Sequence, residues 1–576
     1  MSLSVLGGDD LISASDRHGP RSPIHYQTEK NIAHIPCCGH LSGRMQSITV
    51  AINDLFEFEG QAIPASKPEN ALLEVMVRRQ FSFLPQPLEI QIGGDSVTIS
   101  FAEETPAAQQ EAVRLAGRAS KRAADGHYQK AIGILKRALE LQPTLHLARR
   151  DLAMAYVASG DFDNAKNHLI EILRLNAKDH WSWVTLANLY SKNFDDLDTG
   201  EKFLRRALAL SPDDPWALNS LGAVLLERGL PEDAAHIFQR AISANPEVAN
   251  PYYGLALTYC KTNQLELASE TLSNFFAHGK MQDSRSIQVF ANARALFVDI
   301  QTSLAERQQA AATEAVEKLR AEMEQLSGYP VRVSYEDFQE KVGASIQMAW
   351  KHSRDCHLIR CRKSFPERLM PHLLAHELEH VRLESNARRL GKNRLFVSSV
   401  KAREVAIRSM GDDILHLQKR GYSESSITDV VLDLVQRAGL HLLNCPIDMI
   451  IETSLRNSMP SLSAAQFLSV RLMALEAWEA DNSAVNRERT PRLILRSTLA
   501  LNGAYALFLD DLFRGATSYA SNYRKMETFA MSEKLLRHWQ TRFPQLGHGD
   551  EYALVDEFAS MLGLKDWYEW KSDPGA

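Results

Sequence analysis

Six cysteines in 576 residues, Cys37, Cys38, Cys260, Cys356, Cys361 and Cys445, are too few and too scattered for a disulfide framework or a zinc ribbon. The chain must therefore hold itself by its cores, and a reducing compartment suits it. Cys37, Cys38 and His40 lie close together, but no second ligand pair accompanies them. Positive charge is also lacking. With 65 Lys and Arg against 71 Asp and Glu, the net charge is −6, so no global field gathers nucleic acid or an anionic membrane surface. Long apolar runs are missing too, since the stretch Leu493 to Phe513 is broken by Arg496, Asn502, Asp510 and Asp511 and cannot serve as a membrane span. The first residues have no basic start followed by an apolar core, so no secretory signal is expected and the expected location is cytoplasmic. What remains is a chain whose partners are expected to be proteins, with neither nucleic acid nor membrane among them.

There is ample material for cores, with 45% hydrophobic and 24% charged residues, and the length exceeds what one core fills. The pattern divides the chain. Residues 1–44 are polar and without period and read as a disordered leader. Residues 45–108 carry short alternating stretches ending in Leu88 to Ile92, a Gly93-Gly94-Asp95 turn and Val97 to Phe101. That is a hairpin signal, and with a helical pattern from Asn70 to Arg79 it predicts a small α+β domain.

Residues 109–279 repeat. Ala131, Ala165, Gly200, Ala234 and Ala268 are spaced by 34, 35, 34 and 34 residues. Leu152, Leu186, Leu221 and Leu255 keep the same step, as do Ala138, Ala207 and Ala241, while Pro143, Pro212 and Pro246 close units and Gly126, Gly160 and Gly229 mark turns. Small residues let paired helices approach, large ones fill the gap, and proline ends a helix it cannot continue. The pattern resembles tetratricopeptide arrays, which implies five helix-turn-helix units forming a solenoid with a groove for peptides or protein segments. The third unit departs from it with Gly200 and an extra residue near Asp195-Asp196. Residues 280–327 read as a connector of one or two long helices, and 328–576 as a further, mostly helical domain.

That last domain contains His376-Glu377-Leu378-Glu379-His380 within a segment that reads as helix from about Pro366 to Leu390. Residues i and i+4 share a helix face, so both imidazoles can reach one ion, and Glu377 lies on that side. A metal there acidifies water, and Glu377 is placed to take the proton and pass it to a leaving amine. Met370, Leu373, Leu374, Leu378 and Val381 form an apolar arc beside this stripe, while His372, Glu379 and Arg382 point elsewhere. A strand candidate, His357 to Cys361, precedes the helix and is expected to be an edge that pairs with extended substrate. In these features the domain resembles zincin metallopeptidases. The residues after His380 lack a nearby third histidine, so the resemblance implies a gluzincin-like site in which zinc takes a carboxylate from a later helix.

Glu452 is the first choice for that carboxylate. It shares a face with Asp448 in an apolar segment begun by Pro446, and Asp448 is expected behind it, orienting a histidine. Glu476 and Glu479 are the competing choices, and Glu384 is expected to pair with Arg388. His416, His441, Tyr505, Tyr519 and Tyr523 are all candidates to stabilise an oxyanion. The expectation is a mainly α protein: a tetratricopeptide solenoid followed by a mostly helical zincin-like peptidase domain, with a small α+β N-terminal domain. Zn2+ would be held by His376, His380 and Glu452, with Glu377 catalytic, and the array would recruit a protein or peptide substrate or regulator. The alternative is a scaffold whose zincin-like domain is inactive.

Overall fold

The alanines and leucines recurring through the repeat are buried where helices cross, as their spacing requires. The computed structural model describes residues 45–58, 63–281, 284–337, 343–419 and 424–573. The leader 1–44, with Cys37, Cys38 and His40, lies outside the described residues, as does the side chain of His416. The chain divides into two compact units, Met1–Asn245 and Pro246–Ala576. This boundary falls inside the repeat, between its fourth and fifth helix pairs.

In the first unit the pairs are Pro106–Ala124 with Tyr128–Leu141, His146–Ser159 with Phe162–Leu175, His180–Asn193 with Leu197–Leu210, and Pro215–Glu227 with Pro231–Ala244. Ala131, Ala165, Leu152, Leu186, Ala207 and Ala241 are fully enclosed. The need for small residues is steric: a Cβ on Gly222 would stand 2.7 Å from the Phe238 ring. Gly126, Gly160 and Gly229 turn with φ of 77°, 80° and 76°, as their spacing predicts. In the third pair Asp195 takes the left-handed position instead, at φ 54°, and Asp196 caps the next helix by accepting the Thr199 N–H at 3.0 Å. The extra residue is thus absorbed in the turn. Trp183 is the largest fully buried side chain among the described residues; its indole N–H donates to the Ala177 carbonyl at 2.9 Å, and its ring lies 5.2 Å from Phe203.

The N-terminal segment of this unit forms a three-stranded antiparallel sheet, with Ser96–Ala102 between Met45–Ala51 and Glu89–Gly93. Val97, Ile99 and Phe101 point inward, so the alternation read from the sequence is the burial pattern. The sheet and its helices rest on the repeat: Phe58 meets Trp183 with ring centres 6.1 Å apart, and Arg206 donates to Asp54 at 3.2 Å.

The second unit begins with the fifth pair, Ala249–Lys261 and Leu265–His278. The connector is a single helix, Ser284–Ser327, of 44 residues, about 65 Å long at 1.5 Å per residue. Its Phe290 packs 4.3 Å from Phe275 of the fifth pair, and its Phe297 lies 5.0 Å from Phe467 in the helix Ser463–Asn482. One helix thereby joins the last repeat to the helices around the HExxH sequence. No helix among the described residues is long and apolar enough to cross a membrane.

Next comes a three-stranded sheet that corrects an expectation. His357–Arg362 is its centre, parallel to Val331–Glu336 and antiparallel to Ala344–Gln347. The strand expected at the edge is therefore hydrogen-bonded on both sides, and Ala344–Gln347 is an edge. The alternating burial of His357, Ile359 and Cys361 records only that one face is covered and is silent on neighbours in the sheet plane. Pro446 also differs from expectation. It lies inside the 35-residue helix Glu424–Ser458 rather than at a start, in a buried stretch with Cys445, Ile447 and Met449, and its carbonyl accepts from the Trp539 indole at 3.3 Å. Packing overrides the local preference.

Two expectations test this architecture. Trp183→Ala should cost about 3–5 kcal/mol; hydrogen exchange of the full chain should accelerate across 180–210, and unchanged exchange there would contradict the packing described. His357 is held down to about 4 by burial and then by Arg388, and its Nδ1 accepts the Ala349 N–H at 3.1 Å. Folding thus keeps this histidine neutral while the unfolded chain protonates near 6.5. Its contribution is complete above that pH and is lost as pH falls toward about 4. Denaturation of the second unit across that window should be less pH-dependent in His357→Gln than in the wild type.

Candidate metal centre

The HExxH helix runs from Met370 to Arg389, preceded by a 3-10 turn at Glu367–Leu369. It is covered on nearly all sides: Leu373, Ala375, Leu378 and Val381 are buried, and the Glu424–Ser458 and Ser463–Asn482 helices lie against it. The imidazoles of His376 and His380 stand 5.1 Å apart, centre to centre, on one face as the spacing of four requires.

Two carboxylates one turn apart on the Glu424–Ser458 helix meet them. Asp448 Oδ1 lies 3.5 Å from His376 Nε2 and 3.7 Å from His380 Nε2. Glu452 approaches the other side of His376, with Oε1 2.9 Å from Nδ1. This is the reverse of the arrangement expected, in which Glu452 faced the ion and Asp448 stood behind. The reason is geometric. Glu452 is fully buried and is drawn inward by two further donors, His372 Nε2 at 3.1 Å and Gln466 Nε2 at 2.7 Å. Asp448, one turn earlier and nearer the surface, is left to face both Nε2 atoms.

His372 is thus a residue that sequence reasoning set aside. Its signal was present, since it precedes His376 by four, but its side chain turns to Glu452 rather than outward. Gln466, whose amide also donates to the Glu452 backbone carbonyl at 2.9 Å, had no signal. Glu476 binds Arg362 through both oxygens, at 3.1 and 3.2 Å, and so is engaged away from the histidines. Among the described residues Glu479 belongs to no cluster able to hold a metal. Glu384 pairs with Lys351 at 2.5 Å and accepts the Trp350 indole at 3.2 Å, whereas Arg388, its expected partner, reaches Asp573.

The electrostatics follow from burial and these contacts. Burial works against the charge on His376, but Asp448 and Glu452 outweigh it and raise its affinity for a proton. His380 is pushed down, by burial and then by His376. Burial also opposes ionisation of Glu452, yet His372 and His376 hold it below the usual carboxylate range. Glu377 is buried and pushed up to about 7, chiefly by desolvation, while the Ile346 backbone of the edge strand hydrogen-bonds it. Tyr505 is pushed up by burial and by Glu452 and Asp448, which places this phenol in the field of the cluster. Tyr523 instead donates to Asp481 at 2.9 Å, and His441, held down to about 4 by burial, bonds Asn502.

The fit to a metal is tested by one atom. Asp448 Oδ1 is buried and has no hydrogen-bond partner, although it faces two imidazole nitrogens. His376, His380 and Asp448 offer ligand atoms all within 4.8 Å of one another. Two imidazoles and one carboxylate form a donor set suited to a divalent transition metal such as zinc, with a position left open. His372, His376 and Glu452 also cluster, but hydrogen bonds among them already occupy their facing atoms.

The family described as tetratricopeptide repeat matches residues 122–188 and 225–274. The chain contains tetratricopeptide repeats, and such repeats generally bind proteins or peptides. No curated protein sequence matches this chain. Among solved structures it is similar to PilF of Pseudomonas aeruginosa, at 18% identity over 35% of this chain and 93% of that one, with a TM-score of 0.29. It is also similar to YrrB, described as a repeat protein with an unusual peptide-binding site, at 20% identity over 31% and 92% of the two chains, with a TM-score of 0.25.

Glu452 ties two helices to the HExxH helix through buried charge-assisted bonds. Glu452→Gln should therefore lower the stability of the second unit by about 3 kcal/mol. Urea denaturation followed by exchange in the Met370–Arg389 helix checks this; a loss below about 1 kcal/mol would mean the network is dispensable.

Proposed function

We propose that this chain is a zinc-dependent peptidase whose tetratricopeptide array engages a protein substrate or regulator. The observation that carries the reading is the buried Asp448 Oδ1, which faces the Nε2 atoms of both HExxH histidines at 3.5 and 3.7 Å without a hydrogen bond to either. Without a metal this carboxylate is satisfied only through a protonated His376, and a cation between the three side chains satisfies it together with both Nε2 lone pairs. In this reading His376, His380 and Asp448 hold the zinc, and Glu452 fixes His376 through Nδ1, so that Nε2 keeps its lone pair for the metal. The ligand set differs from the expected His376, His380 and Glu452 only in the carboxylate.

Bound zinc supplies Lewis acidity, which lowers the pKa of water and polarises a carbonyl. The chain supplies the rest. Glu377, on the same face and shielded from solvent, accepts the proton released as water attacks the amide carbonyl and returns it to the departing nitrogen. Tyr505, whose phenol feels the charges of Glu452 and Asp448, is the candidate assigned to donate to the developing oxyanion. The Ala344–Gln347 edge adjoins the HExxH helix and can accept an extended peptide through its backbone, which favours a polypeptide substrate. A scaffold with no chemistry is the second reading, favoured by family matches confined to the repeat.

Elemental analysis separates the two. The peptidase reading expects about one zinc per folded chain, lost from His376→Ala and Asp448→Ala and kept by Glu476→Ala. Glu377→Gln should keep the metal and lower cleavage of a casein or peptide-library substrate by at least about a hundredfold. Folded wild type that takes up no zinc would establish the scaffold.

A further inference from the structure

Arg456 follows Glu452 by one helical turn and borders a cavity of about 220 Å³, walled by Phe297, Leu304, Ser463, Phe467 and Phe513. Its guanidinium sits 5.3 Å from the centre of the Phe513 ring. Three other arginines of this unit reach oxygen: Arg294 the carbonyls of Gly515 and Thr517, Arg362 the carboxylate of Glu476, and Arg388 that of Asp573. Arg456 has no hydrogen bond or ion pair among the described residues. Burial, followed by the neighbouring cation Arg514, disfavours its charge, and Arg514 likewise has no acidic side-chain partner there. A half-buried guanidinium beside a second cation, with aromatic walls and no ion pair of its own among the described residues, suits an anion.

We infer that this cavity binds a small carboxylate carried on an aromatic or branched apolar body. The planar fork of Arg456 matches a carboxylate, and three phenylalanine rings supply the apolar wall. The volume falls below the roughly 300–1,000 Å³ of drug-sized sites, which limits the ligand to about one ring and a short stem. Glu266 and Glu270 are exposed and also line the cavity, Glu266 pairing with Arg307 at 3.7 Å, and they weigh more against a dianion such as a phosphate monoester than against a single carboxylate. The site draws on none of the side chains assigned to the metal centre, so it stands or falls independently of the peptidase reading.

Phenylacetate titrated calorimetrically into the full-length protein tests the inference, with acetate, benzyl alcohol and phenyl phosphate as comparisons. Saturable binding of phenylacetate is expected, at least tenfold tighter than that of the other three. Arg456→Met should weaken it by tenfold or more, and Arg437→Met, on the exposed side of the same helix, should not. Should Arg456→Met fail to fold, hydrogen exchange of the wild type decides: phenylacetate should slow exchange around residues 455–467 and at Phe513. No saturable phenylacetate binding, equal binding by benzyl alcohol, tighter binding by phenyl phosphate, unweakened binding by folded Arg456→Met, or unchanged exchange would each overturn it.

Discussion

The carboxylate of Glu452 has no access to water, and the second unit is arranged around satisfying it. A buried anion without donors would destabilise the fold by several kcal/mol. Here two histidines of the HExxH helix and one glutamine of the Ser463–Asn482 helix converge on it, which fixes three helices in mutual register. The same constraint decides how His376 presents itself. With Nδ1 committed to Glu452, Nε2 faces Asp448, and the geometry that suits a cation follows from the need to satisfy a different acid.

The repeat stabilises itself in another manner. Its close helix approaches rest on positions where no larger side chain fits, such as Gly222 against Phe238, and each pair buries its own share of apolar surface. Polar groups play a smaller part, capping turns as Asp196 does or anchoring an indole as the Ala177 carbonyl does. In the second unit the long Ser284–Ser327 helix carries phenylalanines to both the fifth repeat pair and the helices beyond it. The same long helix also packs against the HExxH helix.

The period near 34 residues, the turn glycines, the hairpin ending at Phe101 and the shared face of His376, Glu377 and His380 were determined by the sequence alone. Each depends on backbone geometry that repeats every few residues, so local spacing carries the information. Tertiary structure decided which carboxylate meets which imidazole nitrogen, because Asp448 and Glu452 lie on the same helix face and differ only in what the neighbouring helices bring to them. It likewise decided that His357–Arg362 is a central strand, that Pro446 lies within a helix, and that Glu384 reaches Lys351 rather than Arg388. These outcomes depend on partners distant in the chain, and no local periodicity encodes them.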